Sequence, residues 1–202
     1  MNKLSINKTK KGSLVFVVSG PSGSGKSTLV EKLLNEPRAA GILSRSVSVT
    51  TRPKRSGERS GRHYFFLSDR QFKSRLASQK ILEWTKYSGY YYGTPLDYVQ
   101  GRIKRRKNLV LCLDFKGARA LKRLYPQQVV TIFILPPSIN ELKKRMGGRC
   151  CKTTTLEIKK RIRLAGKEMA QAAKYDYRVK NSDLNKAVKR LMEIILKSLN
   201  IN

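Results

Sequence analysis

Residues 14–28 read Leu14-Val15-Phe16-Val17-Val18-Ser19-Gly20-Pro21-Ser22-Gly23-Ser24-Gly25-Lys26-Ser27-Thr28. From Gly20 on this is a complete G-x-x-x-x-G-K-[ST] phosphate-binding loop, and the apolar run before it is the strand such a loop requires. The stretch after it, Ser27 to Leu34, carries Leu29, Val30, Leu33 and Leu34 at helical spacing. Glycines let successive backbone N–H groups fold into a nest around anionic oxygens, Lys26 reaches the β- and γ-phosphates, and the Ser27 hydroxyl is suited to Mg²⁺. Gly20, Pro21, Ser22, Gly23, Ser24, Gly25, Lys26, Ser27 and Thr28 are therefore the candidate nucleoside triphosphate site, with Ser27 as the metal ligand.

Other apolar runs follow the same logic. Leu109 to Leu113 and Val129 to Leu135 join Leu14 to Ser19 as buried strands, and continuous apolar strands suit a parallel sheet covered on both faces. Helices are expected over Gly117–Tyr125, Ile139–Met146, Thr155–Ala173 and Leu184–Leu199. The last shows the pattern best, with Leu184, Val188, Leu191, Ile195 and Leu199 behind the capping start Asn181-Ser182-Asp183. Strands alternating with helices predict a three-layer α/β fold. Residues 1–12 read as a flexible basic arm, residues 13–202 as one domain, and residues 49–99, rich in Arg, Gly and Tyr, as an insertion in it.

Composition sets the outer limits. A chain of 202 residues can bury a sizeable core. Its 44 Lys+Arg against 13 Asp+Glu give a net charge of +31, which favours contact with polyanions. The basic residues are scattered along the chain and the aromatics gather in residues 64–98, so nucleic acid is an open but less favoured partner. Cys112, Cys150 and Cys151 lack C-x-x-C spacing and His63 is the sole histidine, which argues against structural zinc. No stretch approaches the apolar length of a membrane span, and a cytoplasmic location with reduced thiols is expected.

Within the insertion stand Thr50-Thr51-Arg52-Pro53-Lys54-Arg55-Ser56-Gly57-Glu58, His63-Tyr64-Phe65-Phe66, Glu83-Trp84 and Tyr91-Tyr92-Gly93-Thr94. In order and spacing these resemble guanylate kinase, and with the phosphate loop the resemblance covers almost the whole chain. It implies a three-layer P-loop NTPase core with a parallel sheet (13–48 and 100–202), a GMP-binding insertion (49–99) and a mobile lid (145–161). It further implies that Ser48, Arg52, Arg55, Tyr64 and Tyr92 hold the GMP phosphate, that Glu83 and Thr94 read guanine, and that Glu58 and Asp114 belong to the same site. The chemistry is congruent, because guanidinium forks match phosphate oxygens and a carboxylate accepts from both N1–H and the 2-amino group of guanine.

The resemblance implies transfer of a phosphoryl group from ATP to GMP, and to dGMP, with Mg²⁺, giving GDP for purine nucleotide metabolism. Such transfer needs in-line positioning and charge neutralisation more than acid–base chemistry. The catalytic assignments are Lys26 and Arg52, with Arg145, Arg149 and Arg161 of the lid as charge stabilisers; a monomer or homodimer is consistent. Two departures stand out. Arg149-Cys150-Cys151 replaces a glycine after the lid arginine, and Cys112-Leu113-Asp114 replaces a D-x-D strand end, removing one carboxylate near the metal. The competing reading is a catalytically weakened guanylate-kinase-like module that binds nucleotide or protein.

Overall fold

The structure, a computed structural model, describes residues 12–87, 89–147 and 155–201. Apart from Gly12, the basic arm expected over residues 1–12 lies outside the described residues, as do Arg149, Cys150 and Cys151. In chain order the elements are β1 (Val15–Ser19), α1 (Lys26–Leu34), β2 (Leu43–Arg45), β3 (Ser48–Thr50), β4 (Tyr64–Phe66), α2 (Asp69–Ala77), β5 (Ile81–Tyr87), β6 (Tyr90–Pro95), α3 (Leu96–Lys104), β7 (Asn108–Cys112), α4 (Phe115–Leu124), β8 (Val129–Leu135), α5 (Ile139–Gly147), α6 (Thr155–Met169), β9 (Tyr177–Lys180) and α7 (Leu184–Leu199).

The main sheet has the order β2-β7-β1-β8-β9, with every neighbouring pair parallel. Successive strand residues face opposite sides, and β1 shows the consequence. Val15 and Val17 pack with Val99 of α3 and with Ala118 and Leu121 of α4. Phe16 and Val18 pack with Leu29, Val30 and Leu33 of α1 and with Val188, Leu191 and Ile195 of α7. Burial on both faces explains why β1, β7 and β8 are unbroken apolar runs, and it delivers the three-layer architecture.

A second sheet, β4-β3-β6-β5, runs from Ser48 to Pro95 and mixes a parallel pair with two antiparallel ones. Phe72 of α2 seals it against Val49 and Ile81. Ser68 opens α2 with a capping box: its hydroxyl accepts from the Gln71 N–H, and the Gln71 side chain accepts in return from the Ser68 N–H. The helix after Pro95 returns to the main sheet, where Val99 is fully buried. Behind the phosphate loop, Leu142 and Met146 of α5 pack with Ala165 of α6.

Candidate active site

The loop between β1 and α1 leaves the sheet at its central strand, where β7 and β8 diverge to either side, the position at which open parallel sheets bind ligands. Gly25, the residue before α1, has φ of +91°. A side chain there would be strained, and its Cβ would meet the amide of Asn181. That amide donates to the Ser24 carbonyl at 2.8 Å, tying the end of β9 to the loop. Lys26 Nζ donates to the carbonyls of Gly20 at 2.6 Å and Pro21 at 2.9 Å, so the ammonium lies along the loop it serves.

A cleft of about 240 Å³ joins this loop to the second sheet. Gly20, Ser22, Gly23, Gly25, Lys26 and Ser27 line one end, and Ser48, Arg52, Arg55, Glu58, Tyr64, Glu83, Tyr92 and Asp114 line the rest. Pro21, Ser24 and Thr28 belong to the loop without lining the cleft: Pro21 and Ser24 are buried and Thr28 faces outward. Thr94 acts from beneath, its hydroxyl donating to Glu83 Oε1 at 2.5 Å.

Arg52 is buried, with 8% of its surface exposed. Its Nη2 donates to Glu58 Oε1 at 2.7 Å, its Nη1 to the Pro53 carbonyl, and its guanidinium lies over the Tyr64 and Phe66 rings. Burial opposes both charges, yet the pairing wins, holding Arg52 above its ordinary range and Glu58 below the usual carboxylate range. Glu58 Oε2 also accepts from the Arg55 N–H at 2.8 Å. A carboxylate so engaged fixes the orientation of the Arg52 fork at the cleft wall. Tyr64 faces Tyr92 edge-on at 6.0 Å, and burial pushes its phenol up to about 12, so it stays a hydrogen-bond donor.

Glu83 is 7% exposed. Burial pushes its carboxyl up to about 7, opposed by the Thr94 hydroxyl and reinforced by Asp114. Asp114 caps α4 by accepting from the Gly117 N–H at 2.8 Å. Gly117 supplies room as well, since a Cβ there would lie 2.5 Å from Glu83 Oε2. Arg145 donates through Nε to Glu141 at 2.9 Å and brings Nη1 near Gly25, while Arg161 on α6 faces Tyr87. Cys112 lines the cleft half-buried at the end of β7.

Thr85, Tyr87 and Glu168 also line the cleft, and sequence reasoning misses all three. For Thr85 and Tyr87 a signal exists: they follow Glu83 at alternate positions of one strand and so share its face. Glu168 has a weaker one, lying two helical turns after Arg161 in a chain poor in acids. Its carboxyl faces Lys26 and Asp114, and burial pushes it up to about 7.

A profile of the guanylate kinase family matches residues 13–198. The chain belongs to the guanylate kinase family. A guanylate kinase of Synechocystis is 43% identical over 185 residues, covering 92% of this chain and 94% of the relative. Guanylate kinases of Shouchella clausii and Rickettsia prowazekii are each 40% identical, over 93% and 94% of this chain and 89% and 93% of their own lengths. Among solved structures, the crystal structure of guanylate kinase from Anaplasma phagocytophilum superposes with a TM-score of 0.76 at 29% identity, covering 93% of this chain and 87% of that one. Among the described residues, no helix is long and apolar enough to cross a membrane.

Proposed function

We propose that this chain is an ATP:GMP phosphotransferase that converts GMP, and dGMP, to the diphosphate in the cytoplasm. The observation that carries the reading is one cleft holding a complete phosphate-binding loop at one end and a buried carboxylate, Glu83, at the other, with Arg52, Arg55, Tyr64 and Tyr92 between them. Loop amides and Lys26 grip the donor's β- and γ-phosphates. Arg52 and Arg55, with the hydroxyls of Ser48, Tyr64 and Tyr92, hold the acceptor phosphate in line. Glu83, backed by Thr94, accepts from guanine N1–H and the 2-amino group; adenine has neither donor in that arrangement and leaves the buried acid unmatched. Arg145, Arg149 and Arg161 neutralise charge as the phosphoryl group moves.

The residues present fit a magnesium ion that travels with the donor. Ser27 offers an exposed hydroxyl beside the loop. Among the described residues no cluster of three His, Cys, Asp or Glu could cage a metal, and Mg²⁺ commonly takes few protein ligands and keeps its waters and phosphate oxygens. Bound there, it supplies charge neutralisation across the donor's terminal phosphates. Cys112, which stands where the family pattern has a carboxylate, would be a poor ligand for so hard an ion, which favours Ser27 as the protein contact.

The test is a coupled assay of ADP formation with ATP and Mg²⁺, comparing GMP, dGMP, AMP, CMP and UMP, with Lys26→Ala as control. Turnover confined to GMP and dGMP, and lost in the control, is expected. GMP binding without turnover would instead favour a nucleotide-binding module.

A further inference from the structure

On the side of the main sheet that carries α4 lies a second cavity, of about 330 Å³, which shares no lining residue with the catalytic cleft. Its size falls within the range of small-molecule sites, about 300–1,000 Å³. One face of α4 builds one wall. Phe115, Ala118, Arg119, Lys122 and Arg123 stand at i, i+3, i+4, i+7 and i+8, the spacing of a single helix face, and all of them line the cavity. Lys174 and Tyr175, from the segment joining α6 to β9, supply the facing wall, and Thr131 of β8 completes the lining. Tyr175 is fixed from behind, its ring meeting that of Phe133 edge-on at 5.0 Å.

The apolar part of this lining is covered and the charged part is open. Ala118 and Tyr175 are buried and Phe115 half-buried, whereas Arg119, Arg123 and Lys174 are exposed. Lys174 Nζ lies 5.8 Å from the centroid of the Phe115 ring, a cation–π contact that keeps the ammonium at the cavity. Lys122 is already committed, donating to the Val129 carbonyl at 2.7 Å and pairing with Asp176 at 3.0 Å. Asp176 is committed as well, since its Oδ2 also accepts from the N–H and the hydroxyl of Thr131, each at 2.8 Å. Among the described residues Arg119, Arg123 and Lys174 form no ion pair. Two arginines four apart on a helix repel each other, and an anion between them removes that cost.

We propose that this cavity is a second ligand site, which takes a small organic anion with a flat apolar body and a phosphate or carboxylate at one end. Phe115, Ala118 and Tyr175 receive the body, where ring contacts add to simple burial. The guanidinium forks of Arg119 and Arg123, matched to phosphate and carboxylate oxygens, hold the charged end together with the Lys174 ammonium. An inorganic anion leaves the apolar wall bare, and a neutral aromatic leaves the cations unmatched, so each binds more weakly than a molecule carrying both parts. The site stands apart from the phosphate-binding loop and does not depend on the GMP-kinase reading.

Titration of the isotope-labelled full chain with 1-naphthyl phosphate, followed by backbone amide NMR shifts in about 0.15 M NaCl, reads the site directly. Amides of residues 115–123 and 174–176 should shift together along one saturation curve, whatever happens at residues 20–28 of the phosphate-binding loop. Inorganic phosphate and 1-naphthol should each shift them with an affinity lower by about tenfold or more, since each lacks one half of the match. Arg119→Glu combined with Arg123→Glu should weaken 1-naphthyl phosphate at these amides by about tenfold or more, and both side chains are exposed, so the fold should hold. Lys186→Glu with Lys189→Glu makes the same change of net charge on α7, which packs on the opposite face of the sheet, and should alter the affinity by less than about twofold. Shifts confined to the loop and the catalytic cleft, equal binding of inorganic phosphate or of 1-naphthol, or equal losses in the two double variants would each overturn the site.

Discussion

At Glu83 the fold holds a carboxyl at the edge of ionisation, and its pH behaviour follows. Burial raises the folded value to about 7. Folding therefore favours the protonated acid, so the stability Glu83 contributes is full at low pH and is lost as pH rises through about 7. Glu168 acts in the same direction. Binding of GMP runs the other way, because the carboxylate must be ionised to accept from guanine. GMP affinity should climb up to about tenfold per pH unit below 7 and level off above it. In Glu83→Gln, calorimetric titration should give weaker binding whose remaining pH dependence comes from the nucleotide phosphate, ionising near pH 6. An unaltered profile would remove Glu83 from base recognition. Glu83 is singled out in the sequence only through the family resemblance, since an acid before an aromatic is by itself an ordinary surface pattern. Glu168 is not legible, because only tertiary placement brings α6 to the loop, and Tyr87 can be inferred only once Glu83 has been placed on its strand.

Helix α4 shows what one element does for the site and why sequence placed it imperfectly. Apolar spacing suggests a start at Gly117, but Asp114 caps the first turn and the helix begins at Phe115. The cap turns the chain so that Gly117 faces Glu83 without a side chain between them. Gly117→Ala should raise KM for GMP by roughly tenfold, a change of about 1.4 kcal/mol, by displacing the Glu83 carboxylate. The melting temperature should hold, since alanine is the better helix former by up to about 1 kcal/mol. A raised KM with a lowered melting temperature would mean general damage rather than a moved carboxylate. Buried on both faces, β1, β7 and β8 can be read directly as apolar runs. β2 has three residues and β9 one buried side chain, Val179, too little for a periodic signal. The second sheet is visible in the sequence only as an insertion, because the pairing at its centre joins Val49 of β3 to Gly93 of β6, far along the chain.

Across the whole molecule the dominant fact is a charge of +31 on 202 residues. Ion pairs such as Arg62–Glu31 and Arg190–Glu193 are exposed and contribute little, so net self-repulsion outweighs them. Added salt screens that repulsion, with the Debye length falling from about 30 Å at 0.01 M to about 8 Å at 0.15 M. The melting temperature should therefore rise with NaCl over this range, whereas a protein held by surface ion pairs would lose stability. Phosphate at matched ionic strength should raise it further, because the cleft concentrates Lys26, Arg52 and Arg55 around an anion site. Lys26→Ala should shrink that extra increment and leave the NaCl effect intact, separating the general field from the built site. A single-stranded RNA partner predicts something different: log affinity falling linearly with log salt, with a slope of about −0.7 per phosphate contacted. Charge scattered along the chain rather than gathered in one stripe gives weak, steeply salt-dependent binding. A shallow slope with tight binding would overturn that and make the surplus charge a recognition surface.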